Sequence, residues 1–449
     1  MSNLNSQNKD EKQNEAMKRS PLLSKERLLY NIPAWIAILA CVIMWFIPTG
    51  FEDALIYRNS DHTTARVLKV NNDGLEDTGV IVVGEQKAEV EILSGKFKGR
   101  TASAFNLLNG SLEFDKKFDV GDIARVVIDH SNDNIDSVNL IDHDRIPYEI
   151  LFFLIFAVLL VFVAGRTGFR SLISFVLTVL AIWKILVPQI LQGANPLTLG
   201  MVTILALTAI IILPIYGFSY RSLAAIVGCS LGTIATGTLG AIGTKLFRIH
   251  GAVMPKAESL LHAGYRHLDL TQIFMMAIFI GASGALMDLG VDITSSVAEV
   301  IAKKPNIEWK EAYRSGMNVG RAAMGTMTTT LLLAYSGGFI SVMMVFMAQG
   351  TPLMNILNYK DIAAEILHTL VGSIGLVLVA PVTAISSAVL LCNFGKREIL
   401  YNEFKQLQAE KLIPKNKDFV YEEFVQGILQ ETEDKVHEVE LLEQGEAEA

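Results

Sequence analysis

Leu197–Phe218 reads LTLGMVTILALTAIIILPIYGF, twenty-two residues without a charged side chain. An α-helix rises about 1.5 Å per residue, so roughly 20 apolar residues span the ~30 Å hydrocarbon core of a bilayer. This run therefore reads as one complete crossing. Similar stretches centre on Ile32–Ile47, Ile150–Ala164, Leu172–Leu191, Leu223–Leu246, Ile273–Ile293, Ala322–Ala348 and Ile362–Leu391. The first two are short at their strict cores, and the last two exceed one perpendicular crossing, which calls for tilting, kinking or continuation into the interface. The pattern predicts an α-helical polytopic membrane protein of about eight transmembrane helices.

Composition agrees with that reading. Of 449 residues, 51% are hydrophobic and only 19% charged, and the mean hydropathy is positive at +0.39. Orientation follows from the basic residues, which accumulate on the cytoplasmic side. Lys18, Arg19, Lys25 and Arg27 precede the first stretch and place the N-terminus inside. Arg166, Arg170, Arg221, Lys303, Lys304, Lys310, Arg314, Lys396 and Arg397 then fall on the same side, and Lys245–Asp269 is the one dissenting loop. The first stretch lacks a small-x-small cleavage site after Ile47-Pro48-Thr49-Gly50 and carries Trp45 and Phe46, so it reads as an uncleaved anchor over 28–48.

Between the first and second stretches, 51–145 is different material. It is punctuated by Asn72-Asp73-Gly74, Ser94-Gly95, Asn109-Gly110 and Val120-Gly121-Asp122. In Lys87–Ile92 and Ile123–Ile128 the apolar residues alternate, with Ala88, Val90, Ile92 and Ala124, Val126, Ile128 on one face. Five or six short strands at this spacing predict a small extracytoplasmic all-β domain, an OB-like barrel or a sandwich. No strip of basic and aromatic residues marks it for nucleic acid. It contains no cysteine, since Cys41, Cys229 and Cys392 all lie in or beside the helices, so it folds without disulfides.

The ends are polar. Residues 1–27 read as a disordered cytoplasmic tail, and 393–449 as a tail that starts basic and ends acidic. From 401 to 449 there are 13 acidic residues against 5 lysines, a balance of −8 that equals the net charge of the whole chain. The rest of the chain, 1–400, is therefore balanced as a whole, and the acidity is local to the tail.

Charged and small residues inside the apolar stretches carry the functional content, because ionisable groups are costly there. On the sixth stretch Gly281, Gly284, Asp288 and Asp292 recur at steps of three, four and four, on one helical face. On the seventh, Arg321, Gly325, Thr328, Thr329 and Ser336 form a hydroxyl-rich line. Arg321 is expected at the depth of Asp288 and Asp292 and in reach of either. Lys184 on the third stretch is expected to pair with Glu365 on the eighth, with His368 nearby. Gly228, Gly232, Thr236, Gly240 and Thr244 repeat every four residues, a smooth face for helix packing. Gly281 and Gly284 are expected to serve the same purpose. Pro214 and Pro381 interrupt the fourth and eighth stretches. The Glu365–His368 pair and His250, His262, His267 and Asp269 contain potential ligands, but their spacing matches no established metal motif, and no metal or cofactor is assigned.

Several of these segments carry a resemblance. The runs LHAGYRHLDLTQIFMMAIFIGASGALMD (Leu261–Asp288), VGRAAMGTMTTTL (Val319–Leu331), AYSGG (Ala334–Gly338) and EILH (Glu365–His368) resemble the bacterial YibE/F membrane family. The likeness extends over roughly 148–392 and implies a bacterial cell membrane location, without implying a chemistry.

The chain has no H-E-x-x-H, no G-x-G-x-x-G and no P-loop, so neither an enzyme nor ATP-driven transport is expected. Two readings of function remain. In the first, the protein is a secondary transporter or channel for an ion or small solute, using the sixth to eighth helices. In the second, it is a membrane scaffold or sensor that reads the exterior through its β domain. The lipid bilayer is the obligatory partner in both, and a homo-oligomer is compatible with both. The topology makes a direct prediction: in intact cells an impermeant thiol reagent labels Ser94→Cys and Asn109→Cys and spares Lys304→Cys. Protection of the first two would reverse the orientation.

Overall fold

The computed structural model describes residues 25–52, 60–131, 134–396 and 398–400, so the expectations for 1–24 and for the acidic tail from 401 onward lie outside the described residues. The described residues divide into two compact units, one within 50–168 and a helical unit formed by 25–49 with 169–400.

The first unit contains β1 (Ser60–Asn71), β2 (Leu75–Asp77), β3 (Val82–Ile92), β4 (Thr101–Asn109), β5 (Ile123–Ser131) and β6 (Asn134–His143). The sheet runs β1-β5-β6-β4-β3-β2, and a further pairing of β1 with β3 closes it. The result is a five-stranded barrel with β2 as an outer flap, which selects the barrel over the sandwich. All pairs are antiparallel except β4 with β6, which meet at Ala104 and Val138 in parallel. The alternation seen in the sequence sets the inside. Ala88, Val90, Ile92, Ala124, Val126 and Ile128 are buried with Val67, Phe97, Phe118 and Val138. One polar group is deliberately enclosed. Gln86 donates to the carbonyls of Asn72 (side chain, 2.8 Å) and Phe118 (2.9 Å), and accepts from the Phe118 N–H (3.0 Å) and Asn106 Nδ2 (3.1 Å). Buried and fully partnered, it ties the loop before β5 to β3 and β4. At the flap, Gly84 has φ +119° and a Cβ there would meet the Gly74 carbonyl oxygen at 2.0 Å, so only glycine fits.

Asp129 on β5 accepts hydrogen bonds from Ser60 Oγ (2.5 Å) and Ser137 Oγ (2.8 Å). These bonds favour the ionised form and hold its carboxyl below the usual range. A carboxyl lowered in the folded state adds stability above its unfolded value of about 3.9, and that stability is lost as pH falls through the folded value. Residues 50–145 produced as a separate fragment are predicted to unfold cooperatively, with a melting temperature that declines on acidification below about pH 4. Asp129→Asn should flatten that decline, as followed by circular dichroism.

The helices are α1 (Lys25–Phe46), α2 (Ile146–Ala181), α3 (Val187–Leu191), α4 (Pro196–Tyr216), α5 (Tyr220–Leu246), α6 (Ala257–His262), α7 (Leu270–Lys303), α8 (Trp309–Ser336), α9 (Ile340–Ala348), α10 (Leu353–Asn358) and α11 (Lys360–Leu390). A π turn at Ile182–Leu186 joins α2 to α3, and a 3₁₀ turn at Gly337–Phe339 joins α8 to α9. Among the described residues six helical spans are long and apolar enough to cross a membrane, with Ile146–Leu191 counted once as a 46-residue span. That span is bent. Gly165 has φ 55° and ψ −126°, and a Cβ on Gly168 would lie 2.2 Å from the Leu160 carbonyl oxygen. Along a straight helix those residues would be about 12 Å apart, so the chain turns sharply there, between the second and third expected stretches. The first expected stretch is present as the shorter apolar helix Ile32–Phe46, within α1.

Within the helical unit, α5, α7 and α11 form the centre. Gly228 and Gly232 of α5 lie against Thr383 and Val379 of α11, where a Cβ would approach to 2.4 Å and 2.5 Å. Gly375 of α11 reciprocates against Thr236, and Gly240 faces Ile278 of α7. Helix α8 joins this core through Gly316 and Gly320, beside Ile293, Ala380 and Ala384. A second cluster joins α1, α4, α7 and the last part of α2 through Ala37, Met44, Leu177, Leu180, Ile204 and Phe279.

Candidate functional site

Helix α7 runs through the centre of the unit. Asp269 caps it, its Oδ1 accepting from the Thr271 and Gln272 N–H groups at 3.0 Å. One face carries Ala282, Leu286, Leu289, Ile293 and Val297 and is fully buried. Next to it, Thr294 Oγ1 bonds Ser387 Oγ of α11 at 2.9 Å, and the Cys229 thiol lies 3.7 Å from the Leu286 carbonyl oxygen. Thr294 and Ser387 thus satisfy each other across the α7–α11 contact, while among the described residues the buried Thr233 and Thr383 hydroxyls lack a hydrogen-bond partner.

The edge of α7 that carries Gly281, Gly284, Asp288 and Asp292 is exposed along its length. Among the described residues, neither carboxylate has a basic side chain within salt-bridge distance. Arg321 does not close the pair expected of it. It is exposed, and its Nη1 reaches only Asn318 Oδ1, at 3.4 Å. The reason is rotation. Gly320 is the residue in contact with Ile293, and Arg321, about 100° further round the helix, leaves the contact. Depth agrees with expectation, since Gly320 and Ile293 touch and are the chain neighbours of Arg321 and Asp292. Both charges are nonetheless well inside their helices. Asp292 precedes the α7 end at Lys303 by about 16 Å of helical rise, and Arg321 follows the α8 start at Trp309 by about 18 Å.

The hydroxyl run of α8 serves its own helix. Thr328 donates to the Met324 carbonyl (2.9 Å), Thr326 to Ala323 (3.0 Å) and Thr330 to Met327 (2.9 Å), while Thr329 is exposed. Gly284 has no atom within 4 Å of where a Cβ would lie, so it does not pack against a helix as expected. The stripe it occupies faces away from the core.

Gly281 is different. A Cβ there would come within 2.8 Å of His368 Nε2 and 3.2 Å of the Tyr335 hydroxyl. The two rings stack at 4.3 Å and 27°, and both polar atoms are buried without a hydrogen-bond partner. Glu365, one turn before His368, lies in the wall of a groove of about 560 Å³ between α8–α9 and α10–α11. The sequence reading missed the Tyr335–His368 stack and the groove. Tyr335 falls in the AYSGG run, whose two glycines break the helix into α8 and α9.

Lys184 does not meet Glu365. Its Nζ donates to the Ile47 carbonyl (3.1 Å) and lies 4.8 Å from the Trp183 ring centre. Ile47 follows the last residue of α1 and precedes Pro48, which has no N–H, and a cation suits a helix C-terminus. The other candidate ligands are dispersed. His267 contacts the Leu191 carbonyl oxygen (3.1 Å), His250 meets Lys360 Nζ (3.3 Å), and Asp269 is the α7 cap. Arg170 of α2 donates to the Pro214 carbonyl at 3.1 Å.

Long apolar helices packed through small residues, with carboxylates along one of them, define a multi-pass membrane protein. The chain belongs to the YibE/F-like family, whose model matches residues 152–393, more than half of its length. Neither a curated protein nor a solved structure matches it.

The packing makes a differential prediction. Gly228→Ala should destabilise the purified protein by about 1–3 kcal/mol, because its Cβ has no room beside the Thr383 backbone. Gly284→Ala should hold or raise stability, since the site is open and alanine favours helix. Thermal unfolding in detergent reads both, and equal losses would contradict the assigned contacts.

Proposed function

We propose that the protein is a secondary transporter that moves a proton or small cation by way of Asp288 and Asp292. One observation carries this reading: two carboxylates one turn apart on the central helix have no basic partner among the described residues, in a segment otherwise fit for hydrocarbon. Unpaired charge in such a place is strongly unfavourable, and intramembrane acids commonly mark ion or proton routes. A bound proton or cation neutralises the pair. Gly281 and Gly284 keep the α7 stripe narrow and open, and it leads at one end to Tyr335, His368 and Glu365. Arg321, Thr328 and Thr329 border the stripe on the neighbouring helix.

The accompanying topology has eight crossings, with α1 and the two halves of the span bent at Gly165 each counted, both termini in the cytoplasm and the barrel outside a bacterial cell membrane. No enzymatic step and no cofactor belongs to this reading. A sensor function is the second reading, and it draws on a groove of about 610 Å³ on the barrel, where Lys69, Lys87, Glu89 and Phe105 meet across β1, β3 and β4.

The test is flux in proteoliposomes under an imposed membrane potential, followed with an internal pH dye or a cation-sensitive dye. The wild-type chain should carry flux, Asp288→Asn and Asp292→Asn should lower it at least tenfold with unfolding temperature retained, and Arg321→Gln should have a smaller effect. Similar stability losses in Asp288→Asn and Arg321→Gln without selective loss of flux, or no wild-type flux, would favour the scaffold or sensor.

A further inference from the structure

The groove beside Glu365 is apart from the Asp288–Asp292 pair and has its own chemistry. Phe339, Met343, Met344 and Met347 supply one wall, and Ile362 and Ile366 supply much of the other. Polar groups are few: Ser336 and Thr369 contribute hydroxyls, and Glu365 contributes the single charged side chain of the lining. The volume of about 560 Å³ lies within the range of roughly 300–1,000 Å³ that holds compact organic ligands.

Electrostatics decide what fits. Among the described residues Glu365 has no basic group within salt-bridge distance. The nearest lysine along its helix, Lys360, is turned to His250 at 3.3 Å. Asp361 lies one turn before Glu365 on the same face and adds to the negative field. Glu365 is only about 8 Å of helical rise from the start of α11, where ionisation costs less than at mid-membrane. The apolar wall is polarisable, since thioethers and an aromatic ring accept a diffuse positive charge more readily than aliphatic groups do. A lipid tail would fill the volume and leave the carboxylate unpaired. An anion would meet repulsion.

We propose that this groove binds a lipophilic organic cation, such as a quaternary phosphonium or ammonium with aryl or alkyl arms, and that Glu365 is its counter-charge. The inference adds to the transport reading an organic solute that is coupled to the proton or small cation of Asp288 and Asp292, and it rests on that reading, while the binding step is measurable without flux. The cation enters with its apolar arms among Met343, Met344, Met347 and Phe339 and its charge toward Glu365. His368, one turn after Glu365 on α11, stacks on Tyr335, and both adjoin Gly281 of the acidic stripe of α7.

The experiment is equilibrium binding of radiolabelled tetraphenylphosphonium to the purified full-length chain in detergent, with tetraphenylborate as the anion of matched shape. The wild-type protein should bind tetraphenylphosphonium saturably and tetraphenylborate at least tenfold more weakly. Glu365→Gln should lose at least tenfold in phosphonium affinity, and Met344→Trp, which fills the groove without touching the charge, should also weaken it. Binding is read without flux, so a failure of the transport reading is distinguishable from a failure of this one. Absence of saturable binding, equal binding of the two ions, or full affinity in Glu365→Gln would overturn the assignment and leave an apolar groove filled by lipid.

Discussion

In hydrocarbon there is no hydrophobic drive to bring helices together, so close surface contact must hold them. This constraint shapes the whole helical unit. Gly228 and Gly232 let α5 lie against Thr383 and Val379, Gly375 receives Thr236, and Gly290 lies beside Cys229. None of these positions has room for even a methyl group. The tight α5–α7–α11 centre that results buries the apolar face of α7 completely and leaves its acidic edge on the outside. The position of the carboxylates follows from the packing of the glycines.

The same logic governs α8. Gly316 and Gly320 seat it on Ile293 and Ala380, and that contact fixes its rotation. With Gly320 inward, Arg321 turns out, and an ion pair that the sequence invites is not made. The threonines that follow satisfy their hydroxyls on their own carbonyls, which suits a surface without partners. Among the described residues, two acids on α7 and one on α11 then remain without a basic partner, as costly features of the unit. The proposed function gives each of them an occupant, a proton or small cation for Asp288 and Asp292 and an organic cation for Glu365.

Much of the fold could be read from local pattern. The apolar runs marked the helices, the break between Ile150–Ala164 and Leu172–Leu191 coincides with the bend, and alternation at Lys87–Ile92 and Ile123–Ile128 identified the inner face of the barrel. Closure of the barrel was not legible, because it depends on β1 pairing with β3 and on the parallel meeting of Ala104 with Val138, both distant in sequence. The site divides in the same way. Steps of three, four and four placed Gly281, Gly284, Asp288 and Asp292 on one edge, since that is a property of a single helix. The partners of Arg321 and Lys184 depend on how one helix is rotated against another, and on an acceptor at Ile47 that no spacing rule reveals. The Tyr335–His368 stack joins two helices and was invisible for the same reason.

The central claim is that Asp288 and Asp292 form a carboxyl pair that takes up a proton or cation within the membrane. Infrared difference spectroscopy of the protein in lipid, recorded as pH or cation concentration is changed, observes carboxyl groups directly. The account predicts a carboxyl band that changes with the exchange and disappears in both Asp288→Asn and Asp292→Asn. A spectrum with no responsive carboxyl, or one that both variants leave intact, would contradict it.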